Sequence, residues 1–317
     1  MSASNGSRSS VPGSGKASQP SDPNAAARQY AQTISEDDLY QLARTLYAPY
    51  IPYPPNCPVV FVKFGGPEKQ AEGDMQKLAF EWLRRERERD PNCNIHVPEV
   101  FKIFTRGNWT FIIMQLVAAL PVQQFAQKFD PRSWDHKKPY YYDMIATGVH
   151  LLSRMPVPAD ATPGPFTRRP EDRRIQHMLF KDQTAPVVYP TIQELQDHLN
   201  RVAERGYRIV RPPPKVTTVA LEEQLIFCYT DFNDENFMFT TDPDGRPRLY
   251  VVDFEHTSFL PPSFLAFVAL ERSGRWFLGD WIANKFGNSL PRNNLEVMKR
   301  IFYMFQISSI NIGPRQK

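Results

Sequence analysis

The chain has 317 residues, 41% hydrophobic and 13% aromatic, enough for one or two lobes with a sizeable core and too apolar for a disordered polymer. Its net charge of +4 is too modest to imply a nucleic-acid partner, and no apolar run is long enough to span a membrane. Cys57, Cys93 and Cys228 show neither metal-ligand spacing nor a disulfide framework, and the N-terminus lacks a secretory apolar core, so an intracellular, cytoplasmic location is expected.

Residues 1–34 are rich in Ser, Gly, Ala and Pro and read as a disordered tail that cannot bury enough apolar surface to order itself. Folded structure is expected to open at Ser35-Glu36-Asp37-Asp38, which resembles a capping box ahead of LYQLARTLY. LYAPYIPYPPNCP then reads as an extended, polyproline-like connection. PVVFVKF (58–64) is a short strand with Lys63 inside it, placed to aim an ammonium at phosphates. A helix follows over about 68–89, with Met75, Leu78, Ala79, Trp82 and Leu83 at helical spacing. Glu72 falls on or beside that buried face, within reach of Lys63, whereas Asp74 points elsewhere. The alternating charges of Arg84 to Arg89 suit a solvated helix face and do not suggest nucleic-acid binding. HVPEVFKIF and TFIIMQLV read as two more strands, the second running into AALPVQQF, where a helix begins. A strand entering a helix-bearing lobe forms a hinge, and backbone groups near Gln115 and Val117 are candidates for an adenine edge. The expected division is therefore a small lobe over 35–117 and a larger one over 118–317.

The second lobe is expected to be mainly helical. YYYDMIATGVHLLSRM (140–155), residues 192–207, PPSFLAFVAL and LEVMKRIFYMFQIS have helical periodicity. His150 reads as a packed core histidine. FTRRPEDRR (166–174) reads as a surface loop, with a basic rim beside the site as the other possibility. Within this lobe lies the most informative stretch, IFCYTDFNDENFMF followed by LYVVDFEHTSF. LIFCY reads as a buried strand, and Asp231 to Asn236 as the loop leaving it. Phe237 to Thr240 then starts a hairpin that turns at Pro243-Asp244-Gly245 and brings Asp253 back beside Asn236. One Asp to meet an acceptor hydroxyl, with an Asn and a second Asp as hard oxygen ligands for Mg²⁺, is the layout of a phosphoryl-transfer site. His256 and Glu255 follow directly and read as local pairing residues.

With VVFVKFG, EGDMQKLAFEWLRRE, HVPEVFKIF, FIIMQLV, MPVPADATPGP, FCYTDFNDENFMF and VVDFEHTSFLP, the chain resembles the aminoglycoside phosphotransferase and choline kinase family of the protein-kinase-like fold. More closely, it resembles fungal phosphotransferase-domain proteins. The resemblance spans about residues 59–262 and implies a two-lobed α+β fold with a small antiparallel-sheet lobe and a mainly helical lobe. It implies Asp231 as catalytic base, Asn236 and Asp253 as Mg²⁺ ligands, Lys63 on the ATP phosphates and Glu72 as its partner. It also implies an ATP- and Mg²⁺-dependent kinase for the hydroxyl of a small molecule. Two departures stand out: Tyr229 where the family carries His, and no glycine in the segment before the lysine strand. The second leaves open an alternative, a pseudokinase-like binding module. The acceptor is not legible. Glu271, Asp280 and Glu296 are too scattered to promise an acidic pocket, and Trp276, Trp281, Phe264, Phe267 and Phe277 read as helical core more than as a cage for a cation. Oligomeric state is likewise open.

Overall fold

The computed structural model describes residues 22–207, 218–271, 277–308 and 313. Two short helices come first, α1 (Ala25–Thr33) and α2 (Glu36–Ala43). The expected tail is therefore too long: residues 1–21 lie outside the described residues, but AAARQYAQT is helical. Its alanines favour that state, Ala31 is wholly buried, and Ala27 and Tyr30 pack against the first sheet. Arg28 fastens α1 by two bonds of 2.8 Å to the carboxylate of Glu99. The start of α2 is as read: the Ser35 hydroxyl accepts from the Asp38 amide, and three acids occupy the first turn, where the helix dipole favours them.

The small lobe continues with β1 (Tyr50–Tyr53), β2 (Val60–Gly65) and the long helix α3 (Lys69–Arg89). After the two-residue β3 (Ile95–His96) come β4 (Val100–Arg106) and β5 (Trp109–Gln115). The sheet order is β1-β2-β5-β4, antiparallel throughout. The polyproline-like connection is corrected here: Tyr50 to Tyr53 pair residue by residue with Lys63 to Val60. Pro52 is tolerated because β1 is an edge strand with one side unpaired. Strand alternation decides the placing of Lys63. Val60, Val62 and Phe64 face the α1–α2 side and are buried with Leu39, Phe111 and Ile113. Phe61 and Lys63 therefore face the other way, toward α3 and the larger lobe.

That lobe opens with β6 (Leu120–Pro121), α4 (Val122–Ala126) and α5 (Pro131–Ser153), and α6 (Ile192–Tyr207) follows. The helix α5 begins at Pro131, well before the Tyr140 read from periodicity, because Asp130 caps it by accepting from the Ser133 amide and Pro131 suits the first turn. Next are β7 (Ile226–Tyr229), β8 (Phe237–Thr241), β9 (Pro247–Val251) and β10 (Thr257–Leu260), then α7 (Pro262–Glu271), α8 (Phe277–Phe286) and α9 (Leu295–Ile307). The order β3-β9-β8-β6 makes one small sheet, and β10 pairs with β7 in another. The result is the α+β arrangement expected, a small antiparallel sheet lobe beside a helical one. Of the aromatic residues weighed as a cage, Phe264 and Phe267 are wholly buried and Trp281 packs on Tyr142. Trp276 and the side chain of Phe277 lie outside the described residues. No helix among the described residues is long and apolar enough to cross a membrane.

Candidate functional site

Local chemistry shapes the loop after β7. The Asp231 carboxylate accepts from the Asn233 amide at 3.2 Å, and the Asn233 side chain accepts from the Glu235 amide at 3.2 Å. These Asx turns fold 231–236 into a tight bend that ends in a short 3₁₀ turn at Asn236. The β8–β9 hairpin then carries the chain out and back. Gly245, at φ 85°, takes the left-handed position that its turn needs. On return the Val252 amide bonds the Asn236 carbonyl at 3.0 Å, which sets Asp253 beside Asn236.

Asp253 has φ 62°, left-handed backbone that a side-chain-bearing residue adopts only when held. The hold comes from β7. The Tyr229 hydroxyl donates to the Val252 carbonyl at 2.6 Å, and the Thr230 hydroxyl donates to the His256 carbonyl at 2.6 Å. Tyr229, the departure noted in the sequence, is thus a buried tether for the Asp253 turn.

The small lobe meets this turn through charge. Lys63 Nζ lies 2.5 Å from Glu72 Oε1 and 3.0 Å from Asp253 Oδ1. Glu72 is almost completely buried on the inner face of α3 with Met75, Ala79 and Leu83. Burial alone would lower the Lys63 pKa, but the Glu72 and Asp253 carboxylates overcome it and raise the pKa, so Lys63 is an ammonium. Asp74 is occupied elsewhere, accepting from Thr167 and Gln70.

Two clefts flank the 253–256 turn. One, of about 310 Å³, lies between the lobes and contains Lys63, Gln115, Val117, Asn236 and Asp253. Its remaining walls include Phe61, Met114, Met238 and Val252, apolar surfaces suited to a flat ring. Tyr50 and Pro52 of β1 close its upper edge. Of the two hinge candidates, Gln115 has its amide committed to the Glu99 carbonyl at 2.8 Å. The donor set of Asn236 and Asp253, hard oxygens at one end of the cleft, fits Mg²⁺.

The other cleft, of about 660 Å³, is lined by Glu68, Glu171, Asp172, Asp182, Glu255, Arg174 and His256. Glu171, Asp172 and Arg174 belong to the 166–174 segment, which supplies acids as well as a base and is anchored by a bridge between Gly164 and Phe259. The Asp172 side chain is only 9% exposed, and its Oδ2 has no hydrogen-bond partner, with Arg169 3.9 Å away. Burial raises its pKa. His256 joins this cleft to Asp231, with Nδ1 3.6 Å from Asp231 Oδ2. Burial disfavours both charges. Their mutual contact prevails, lowering the Asp231 pKa and raising that of His256.

The fold therefore brings Lys63, Glu72 and Asp253 into direct contact, sets Asn236 next to Asp253, and links Asp231 to His256. The acidic cleft was missed in the sequence. Its five acids come from four separate places in the chain, and no spacing rule connects them. Glu271, counted among the scattered acids, is paired with Lys299 at 3.1 Å.

No protein-family model and no curated protein matches the sequence. Solved structures do resemble it in chain path. APH(2")-IIia, in a complex with GDP and kanamycin, aligns over 78% of this chain and 75% of its own, with 14% identity and a TM-score of 0.41. An aminoglycoside-3'-phosphotransferase of type VIII aligns over 78% and 84%, with 13% identity and a TM-score of 0.40. The aminoglycoside phosphotransferase APH(3'')-Id from Streptomyces rimosus, in complex with ADP and streptomycin, aligns over 85% and 97%, with 15% identity and a TM-score of 0.41.

Proposed function

We propose that this chain is an ATP- and Mg²⁺-dependent phosphotransferase acting on the hydroxyl of a small molecule. The observation that carries the reading is the Lys63–Glu72 pair reaching Asp253 at 3.0 Å, on the wall of a cleft that also contains Asn236. The nucleotide base lies between Phe61, Met114 and Met238, with its edge toward the backbone at 115–117. Lys63 binds phosphate oxygens. Asn236 and Asp253 hold Mg²⁺, which when bound neutralises charge on the phosphates. Asp231 accepts the hydrogen bond of the acceptor hydroxyl and orients it, and His256 beside it holds the Asp231 pKa below its ordinary value. The acceptor enters from the acidic cleft, whose orphaned Asp172 oxygen suits an amine, so a hydroxylated cation is the acceptor class.

A titration with Mg·ATP, followed by heat denaturation, tests this reading. A ligand at about a hundred times its dissociation constant stabilises the native state by ~2.7 kcal/mol. Wild type gains this stabilisation in a Mg²⁺-dependent way, Asp253→Ala loses it, and Asp231→Asn keeps it while losing phosphate transfer. A Mg·ATP shift that survives Asp253→Ala would remove the metal assignment. A second reading, a binding module without transfer, is motivated by the edge strand at the cleft mouth, where Tyr50 and Pro52 stand and no glycine flap covers the phosphates. It predicts no Mg·ATP shift at millimolar concentration in wild type.

A further inference from the structure

Lys69 has no part in the machinery above, yet it is one of two lysines buried at its centre. Its ammonium lies 2.7 Å from Glu72 Oε2 and 2.7 Å from Glu255 Oε2, and its side chain is 9% exposed. It is the first residue of α3, where a positive charge opposes the helix dipole. Helix formation therefore gives no reason for a lysine there, and burial penalises its charge as well. The carboxylates of Glu72 and Glu255 overcome both effects.

The two oxygens of Glu72 are divided, Oε1 to Lys63 and Oε2 to Lys69. A chain of alternating charge results: Asp253, Lys63, Glu72, Lys69, Glu255. Its middle belongs to the small lobe and both of its ends to the 253–256 turn. Carboxylate oxygens of Glu72, Asp253 and Glu255 come within 4.8 Å of one another, but the two ammoniums already fill the space between them. Lys69 lines neither cleft, so it does not meet a ligand directly.

We propose that Lys69 is a positioning residue for phosphoryl transfer: by holding Glu72 and Glu255 together across the two lobes, it sets Asp253 and His256 in register with Lys63. This rests on the phosphotransferase reading. The physical need is clear in the turn. Asp253 is held in left-handed backbone, with Tyr229 and Thr230 fixing the carbonyls on either side of it. Nothing in that backbone hold ties the turn to the small lobe, where Lys63 is. The Lys69–Glu255 bridge does, and it also keeps the Glu255 charge from acting unopposed on Asp253. It further fixes the Glu72 side chain, so Lys63 keeps one partner oxygen when phosphate draws it away from Asp253.

The test uses the full chain with Mg·ATP as the probe and measures binding, ATP turnover with water as acceptor, and amide hydrogen exchange at 253–256. Lys69→Met is expected to bind Mg·ATP within about threefold of wild type, turn over at least about 30-fold more slowly, and exchange at 253–256 about tenfold faster. Lys69→Arg recovers all three to within about threefold, because a guanidinium also bridges two carboxylates. Lys63→Met, by contrast, weakens Mg·ATP binding by about tenfold or more. Glu255→Gln cuts the same bridge from its half-exposed end, reproduces the exchange change, and replaces Lys69→Met should that variant not fold. The proposal is overturned if Lys69→Met weakens Mg·ATP as much as Lys63→Met does, if turnover and exchange stay at wild-type values, or if Lys69→Arg rescues nothing. Wild type that binds no Mg·ATP sinks the phosphotransferase reading and this role with it. Wild type that binds without turnover sinks only transfer, and exchange then decides the role of Lys69.

Discussion

Replacing Tyr229 by Phe isolates the tether that holds the Asp253 turn. The ring is wholly buried between Phe237 and Phe254, and Phe keeps that packing. Only the hydroxyl is lost, and with it the 2.6 Å bond to the Val252 carbonyl. Leaving that partly buried acceptor unmet costs about 1–2 kcal/mol, near the middle of the range for a lost hydrogen bond. For a chain of this size the thermal midpoint should fall by about 2–5 °C. A second effect follows at the site. Left-handed backbone at Asp253 is unfavourable by about 1–2 kcal/mol, and the turn relaxes once the carbonyl before it is released. Because 1.4 kcal/mol is a factor of ten, Mg·ATP affinity should drop by about five- to thirtyfold. Calorimetric unfolding and a Mg·ATP titration of the purified variant read both numbers. An unchanged midpoint with unchanged affinity would refute the tether. A lowered midpoint with intact affinity would show that the bond stabilises the fold without governing Asp253.

Other consequences are open to measurement. Asn294→Ala removes a buried side chain that bonds both the amide and the carbonyl of Ala220 and the Ser263 hydroxyl, so it should destabilise by about 2–4 kcal/mol in denaturant unfolding. The His256 pKa is raised in the fold, so its contribution is full below its ordinary value of 6.5 and fades as pH rises through the higher folded value. The Asp231 pKa is lowered, so its contribution is present above 3.8 and fades as pH falls through the lower folded value. Stability attributable to the pair is thus greatest between those limits, and Asp231→Asn should remove the alkaline fall in a pH series of unfolding midpoints. Asp172→Asn should stabilise the free protein at pH 7, because a carboxylate whose pKa burial has raised costs stability when ionised. The same change should weaken binding of a cationic acceptor, and a destabilised variant would show that the Arg169 contact outweighs burial.

The parts of the candidate site that could be read in the sequence are those built by neighbours in the chain. Asp231, Asn236 and Asp253 sit on one loop and one hairpin, and the turn signals at Asp242 to Arg246 fix how that hairpin closes. Alternation in VVFVKF puts Lys63 opposite Val62 and Phe64, and helical spacing puts Glu72 on the face of Met75 and Ala79. Those two periodicities suffice to predict that the residues can meet. The flanking elements were less legible. Helix α1 was hidden in a polar, alanine-rich segment, since its order comes from docking on the sheet and from Arg28 reaching Glu99. Strand β1 was hidden by its prolines, which forbid a central strand but not an edge.

Read residue by residue, the chain already shows a small sheet lobe before a helical one, and a lysine, a glutamate and an Asp/Asn/Asp set in the order a phosphoryl-transfer centre needs. Local periodicity and turn chemistry carry that information, because each depends on residues a few positions apart. Folding alone reveals that Lys69 shares Glu72 with Lys63, that His256 faces Asp231, and that five acids from distant segments line one cleft beside them. Those contacts join side chains carried by separate strands, helices and loops. Their energies come from Coulombic attraction in partly desolvated surroundings, which depends on distance in space and leaves no periodic trace along the chain.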